Sequence, residues 1–136
     1  PPPKALSPIR PPRPDGDVVA IMNAWVREAH ADATVNAGYM TLVNVDSEEV
    51  TLVKVESDAY EAIEVHEMKR VDGFMKMREV TDMVITANSQ IQLEPGGWHL
   101  MMMGPKQHLS TGEEVDLTLT FKSGKKQRVS VKVAAR

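Results

Sequence analysis

Two histidines and two methionines stand at a fixed spacing between positions 66 and 101 of the chain. His66 is followed after ten residues by Met77, which is followed after twenty-one residues by His99 and after one more by Met101. Because His99 and Met101 are two residues apart, both side chains point to one side if this segment is a strand. Imidazole and thioether donors therefore converge if the segments that carry them lie side by side.

A two-residue turn predicts how His66 and Met77 approach each other. Asp72-Gly73 separates two alternating segments, and both positions of such a turn tolerate positive φ, which favours a β-hairpin. This hairpin places Met68 opposite Met77. It also places His66 diagonally across from Met77 on the same face, within reach of a long side chain.

The first hairpin segment alternates in polarity. Ile63 and Val65 occupy one face, whereas Glu64, His66 and Met68 occupy the other. A sheet that packs on one side buries its apolar face and leaves the other near solvent. We therefore predict that His66 is accessible to a ligand and is not a core histidine.

The donor types favour one ion. Thioether sulfur is soft and neutral and suits monovalent copper, which imidazole also binds well. Zinc prefers thiolate, imidazole or carboxylate, and calcium prefers oxygen. A thioether has no proton to lose, and a His2Met2 set leaves the charge of the ion uncancelled, which suits moderate binding and transfer. We predict a Cu(I) site formed by His66, Met77, His99 and Met101.

The spacing of these four residues resembles the H(M)X10MX21HXM signature of the PCuAC copper-chaperone family. Other segments also resemble that family, so that the similarity covers residues 17–134; they are residues 23–27, 37–42, 93–97 and 117–121. One departure is Trp98, where the resemblance leads us to expect Tyr, and the bulkier ring is expected to alter access to the site.

The resemblance implies a cupredoxin-like Greek-key β-sandwich in the bacterial periplasm. It further implies a chaperone that delivers copper to the CuA site of cytochrome c oxidase subunit II, with a Sco-type copper protein as a possible collaborator. A general periplasmic copper buffer needs the same donors and stays open as an alternative. A metal-free β-sandwich interaction module is a third hypothesis.

The charge and the amino-acid composition argue against several classes of protein. A formal net charge of −3 and a pI near 5.8 argue against a nucleic-acid binder. With no cysteine, the chain has no disulfide, no thiolate metal site and no blue-copper centre. Copper held by His and Met does not depend on reduced thiols, which is compatible with an oxidising periplasm. No apolar run approaches about 18 residues, so no membrane span is expected.

The sequence divides into two parts. Residues 1–16 contain seven of the nine prolines and are predicted to form an extended leader or linker, preceded by a targeting segment that was removed. Residues 17–136 are predicted to form the copper-binding domain, an all-β sandwich of short strands. The predicted strands cover 18–27, 37–45, 50–56, 62–70, 74–80, 83–87, 90–94, 99–103, 115–122 and 128–133. Residues 103–109 could form one helical turn.

Other candidate residues point to weaker hypotheses. Ser110 and Thr111 lie near His108, but no third member of a catalytic triad is indicated, so we predict that the protein is not an enzyme. His30 and His108 are predicted to be solvated loop residues. A second, weaker Cu(II) site that uses His108 and the N-terminal segment stays open, as does a role for Met68 or Met75 as an additional donor.

Overall fold

The computed structural model describes residues 18–136, so the proline-rich leader predicted for residues 1–16 lies outside the described part. All ten predicted strands are found, with bounds that differ from the prediction by at most two residues. In chain order they are β1 (Ala20–Arg27), β2 (Val35–Asn44), β3 (Val50–Glu56), β4 (Tyr60–Val71), β5 (Phe74–Glu79), β6 (Met83–Ile85), β7 (Ser89–Leu93), β8 (His99–Pro105), β9 (Glu114–Phe121) and β10 (Lys126–Ala134).

The strands form one sheet that closes on itself. Its order is β5-β4-β8-β2-β1-β10-β9-β3-β6, with β7 paired to β2, and β1 runs parallel to β10. Closure comes from Val55 of β3, which pairs with Ile63 of β4. The all-β prediction is confirmed, and the closed sheet has an inner face that forms the core and an outer face turned to solvent.

The core follows from the alternation of apolar residues along the strands. Strand β9 illustrates it, since Val115, Leu117, Leu119 and Phe121 are each at most 2% exposed while the residues between them face outward. Full burial of such a side chain stabilises the fold by roughly 1.5–3 kcal/mol. The rigid barrel that results is the support for the strands that carry the predicted donors.

The segment 103–109 does not form a helical turn, and that expectation was wrong. Strand β8 instead continues to Pro105, because Met103 pairs with Ala62 and Pro105 pairs with Tyr60 of β4. Gly104 has a φ of +65°, which is outside the right-handed helical region, and its amide donates to the Thr34 carbonyl. Pairing with β4 therefore takes precedence over local helix formation.

The β4–β5 hairpin extends beyond the barrel. One edge of β4 is shared: its early part pairs with β3 at Ile63, and its later part, from His66 to Val71, pairs with β5. The turn residues Asp72 and Gly73 have φ values of +52° and +84°, as a two-residue turn with positive φ requires. Every residue of β5 is exposed, so this strand is supported by β4 alone among the described strands.

None of the described residues, 18–136, belongs to a helix with the length and hydropathy of a membrane span.

Candidate metal site

His66 lies on the outer face of β4. It is the last residue of β4 that pairs with β8 and the first that pairs with β5. Its side chain is 16% exposed. Nδ1 lies 3.5 Å from the Met77 sulfur, and Nε2 lies 2.7 Å from Glu64 Oε1. A carboxylate only accepts hydrogen bonds, so in the neutral ring Nε2 carries the proton and Nδ1 presents a lone pair beside Met77.

His99 is the first residue of β8 and pairs directly with His66. The two ring centroids are 6.0 Å apart, with the ring planes inclined at 51°. His99 Nδ1 lies 3.2 Å from the Gly97 carbonyl oxygen, which can only accept. Nδ1 therefore carries the proton in the neutral ring, which leaves the Nε2 lone pair available for a metal ion.

The two methionines reach this face from different strands. Met77 on β5 is 52% exposed and pairs with Met68, so that it lies diagonally from His66 as the hairpin predicted. Met101 on β8 pairs with Glu64 and is half-buried. The structure brings His66, Met77 and His99 into direct proximity, whereas Met101 is placed by its register, two residues from His99 on the same outer face.

Burial separates this face from the core as predicted. Ile63 and Val65 are 9% and 7% exposed and point inward, whereas Glu64, His66 and Met68 are partly exposed. The donors therefore remain accessible at the end of the β4–β8 ladder. An ion can reach them without displacement of core side chains.

Glu64 is the neighbour that the sequence prediction overlooked. It lies two residues before His66 on the same outer face, and its carboxylate accepts the His66 Nε2–H bond. Hydrogen bonding of this kind fixes the orientation and tautomer of a metal-binding imidazole and raises its basicity. The signal was available in the alternation of β4, which places residues 64, 66 and 68 together.

Trp98 lies in the connection between β7 and β8. It directly precedes His99, and its ring packs partly buried against the hydrophobic core. The expectation that the larger ring alters access to the site stays a prediction.

The two remaining histidines are exposed loop residues, as predicted, and they line one cleft. His30 and His108 both border a cavity of about 200 Å³.

Near this cleft, Thr111 donates two hydrogen bonds to the Glu28 carboxylate, from its hydroxyl at 2.9 Å and from its amide at 3.2 Å. These bonds lower the pKa of the Glu28 carboxyl, and His108 acts in the same direction. Within residues 18–136, no group of three or more His, Asp or Glu side chains is arranged to hold a metal ion.

Sequence comparison relates the chain to one protein family and to two individual relatives. Residues 19–133 match the sequence model of a family described as "Putative lipoprotein LpqE-like". The chain is 31% identical over 120 residues to "Uncharacterized protein RP573" of Rickettsia prowazekii, covering 85% of this chain and 66% of the relative. It is 32% identical over 123 residues to "Putative lipoprotein Lxx21020" of Leifsonia xyli, covering 90% and 73%. The match thus spans about two thirds of the length of these relatives.

Solved structures with the same fold include copper-bound proteins. The solution structure of Cu(I)-DR1885 from Deinococcus radiodurans is 27% identical, with a TM-score of 0.72, covering 88% of this chain and 79% of that one. The copper-bound PCuAC domain from PmoF2 is 18% identical, with a TM-score of 0.73, covering 88% and 95%. These likenesses confirm the predicted cupredoxin-like fold.

Proposed function

Because the chain belongs to the PCuAC family, which the LpqE-like sequence model describes, we propose that it is a periplasmic copper chaperone and not an enzyme. It binds Cu(I) through His66, Met77, His99 and Met101. The observation that carries the proposal is the convergence on one accessible face of the His66 imidazole, the Met77 sulfur 3.5 Å away and the His99 ring 6.0 Å away.

The exposure of the donors supports transfer in preference to storage. Met77 is half-exposed, so an incoming ligand can approach the ion from the solvent side and displace the donors one at a time. Thiolate is a softer and stronger ligand for Cu(I) than thioether or imidazole. Copper therefore moves from this protein to an acceptor that offers cysteines, for which the CuA site of cytochrome c oxidase subunit II or a Sco-type protein is the proposed candidate.

Two observations support the periplasm as the proposed compartment of this protein. A relative with 32% identity carries the name of a lipoprotein, which supports export and attachment to a membrane through an N-terminal segment. A site built from His and Met keeps its donors in an oxidising compartment, where cysteine thiols form disulfides.

The metal site is tested by anaerobic competition for Cu(I) with a chromogenic chelator. Met77→Ala combined with Met101→Ala is expected to weaken Cu(I) binding by at least about tenfold, which corresponds to about 1.4 kcal/mol. Met103→Ala is the matched control, because Met103 shares the outer face of β8 but lies outside the proposed donor set. Unchanged affinity in the double variant would rule the site out.

Delivery is tested by transfer. The Cu(I)-loaded protein is mixed with the purified apo CuA domain, and copper is measured in each protein after separation. Copper should move to the unsubstituted acceptor and stay behind when the acceptor cysteines are replaced by serine. A general copper buffer, the alternative function, would instead give a deletion strain that is sensitive to copper and retains full oxidase activity.

The weaker Cu(II) site predicted at His108 and the N-terminal segment stays a prediction, because residues 1–17 lie outside the described part of the chain. The described residues add a second imidazole to that proposal. His30 and His108 border the same cleft, and imidazole is a good ligand for divalent copper. Electron paramagnetic resonance of His66→Ala/His99→Ala loaded with one equivalent of Cu(II) should show nitrogen coordination that is lost when His108→Ala is added. A spectrum identical in that variant would remove this site from the proposal.

A further inference from the structure

Three methionines line the outer face of the β4–β5 hairpin. Met68 pairs directly with Met77, and Met75 lies one step further toward the turn, opposite Arg70. Residues two apart on a strand share a face, so all three thioethers point to the side that carries His66. Direct cross-strand neighbours have Cβ atoms about 4.5–5.5 Å apart and diagonal ones about 7–8 Å, which flexible methionine side chains can bridge.

Packing does not account for the two exposed methionines of β5. Elsewhere in the described chain Met fills the core, as with Met40, Met83 and Met102, which are at most 3% exposed. Met75 and Met77 are 50% and 52% exposed on a strand with no buried residue. A side chain this exposed buries little apolar surface, so packing does not explain why methionine stands at these two positions. The exposed sulfur atoms therefore indicate a binding role.

The charges around the hairpin face permit a cation. Glu79 brings a carboxylate to the same face as the thioethers. Arg70, which also lies on that face, donates from Nη1 to the Gly73 carbonyl, so its guanidinium is directed toward the turn. Lys69 and Lys76 pair with each other on the opposite face. Neutral soft donors without thiolate select a monovalent soft ion over zinc or calcium.

We propose that Met68, Met75 and Met77 form a second Cu(I) position that shares Met77 with the histidine site. This inference rests on the proposed function for the identity of the ion. Copper passes between the two positions while Met77 stays bound: bonds to the Met68 and Met75 sulfurs break as bonds to the His66 and His99 nitrogens form. The ion remains Cu(I) throughout, and no electron or proton is transferred.

The test uses Ag(I), a soft monovalent ion, in protein whose methionine ε-methyl groups are labelled with ¹³C. In His66→Ala/His99→Ala, one equivalent of Ag(I) should shift the methyl signals of Met68, Met75 and Met77. When Met68→Leu and Met75→Leu are combined with His66→Ala/His99→Ala, the Ag(I) affinity should fall at least about tenfold. Met103→Leu in the same His66→Ala/His99→Ala protein should leave the affinity unchanged. Leucine preserves apolar volume and removes the sulfur, and amide spectra verify the fold.

The same titration of the unsubstituted chain gives an independent reading. Beyond one equivalent of Ag(I), a second ion held by Met68 and Met75 alone should shift their methyl signals, while the core methyls of Met40 and Met83 stay in place. Silent Met68 and Met75 signals in both proteins, or affinity unaffected by the leucine pair, would overturn the second position. Failure of the histidine site is a different result, since it appears as unchanged Cu(I) affinity in His66→Ala/His99→Ala, which leaves Met68, Met75 and Met77 in place.

Discussion

The Glu64 carboxylate determines which nitrogen of His66 faces Met77. It accepts the Nε2–H bond at 2.7 Å, and Nδ1 is thereby left with its lone pair 3.5 Å from the Met77 sulfur. Metal-binding imidazoles commonly depend on a partner of this kind, and its removal typically costs about 10–100-fold in affinity. In the proposed site, Glu64 would therefore position His66 and bring a negative charge near the ion.

We expect Glu64→Ala to lower Cu(I) affinity by about tenfold or more, because the imidazole loses both its fixed tautomer and a nearby charge. Glu64→Gln should retain most of the affinity, since its amide oxygen still accepts the Nε2–H bond. Imidazole ¹⁵N shifts should show the Nε2–H tautomer of His66 in the wild type and in Glu64→Gln, and a mixture in Glu64→Ala. Equal affinity and equal ¹⁵N shifts in all three proteins would contradict this role.

Tyr60 supplies a second prediction at the residue scale. It is 3% exposed, its hydroxyl has no hydrogen-bond partner among residues 18–136, and burial raises its pKa to about 12. The unfolded chain ionises this group near pH 10, so between pH about 10 and about 12 the folded state holds more protons. Stability should therefore fall with rising pH in that window, by an amount on the order of 2 kcal/mol.

Tyr60→Phe should remove this part of the alkaline loss, as measured by urea unfolding at several pH values. At pH 7 the variant should match the wild type within about 1 kcal/mol, because the lost hydroxyl had no partner among the described residues. Tyr39 is a suitable comparison, since its hydroxyl accepts a bond from Arg27. If the wild type and Tyr60→Phe lose stability in parallel above pH 10, the assignment to Tyr60 is wrong.

At the scale of elements, the β4–β5 turn sets the register that joins Met77 to His66. Gly73 has a φ of +84°, and a Cβ placed there would meet nothing within 4 Å, so strain and not collision is the cost of a side chain. A left-handed conformation costs an L-residue about 1–2 kcal/mol. Gly73→Ala is accordingly expected to lower the free energy of unfolding by about 1 kcal/mol.

Urea unfolding measures this effect, with Gly97→Ala as the control. Gly97 does not have positive φ, and a Cβ at this position would lie 3.6 Å from the Glu94 carbonyl oxygen, its nearest neighbour. That substitution should therefore change stability by less than about 0.5 kcal/mol. A loss at Gly97 equal to or larger than the loss at Gly73 would contradict the argument from backbone conformation.

The hairpin also shows how far the sequence predicts this fold. Asp72-Gly73 together with strict alternation fixes the register of Met68 on Met77, because a one-residue slip would turn every side chain to the wrong face. The helical turn at residues 103–109 was mispredicted because pairing of β8 with β4 is a long-range interaction. The approach of His66 to His99 within 6.0 Å likewise depends on long-range strand pairing, which the motif spacing suggests but local patterns do not determine.

At the scale of the whole molecule, the proposed donors come from three strands that the unfolded chain does not hold together. They lie on β4, β5 and β8, and the ion therefore binds the folded state preferentially. A ligand at about 100 times its dissociation constant stabilises the folded state by about 2.7 kcal/mol. Ag(I) in such excess should raise the free energy of unfolding by about that amount, and Met77→Ala/Met101→Ala should lose most of the gain.

Ion binding should stabilise some strands more than others. Strand β5 pairs only with β4 among the described strands, whereas β9 and β10 lie in the closed barrel and pair on both sides. An ion that joins Met77 of β5 to His99 of β8 gives β5 a second attachment. Amide hydrogen exchange should therefore slow most along β5 when Ag(I) binds, because local opening of the hairpin then requires release of the ion. Equal slowing in β5, β9 and β10 would mean that the ion stabilises the barrel as a whole and does not join the hairpin to β8.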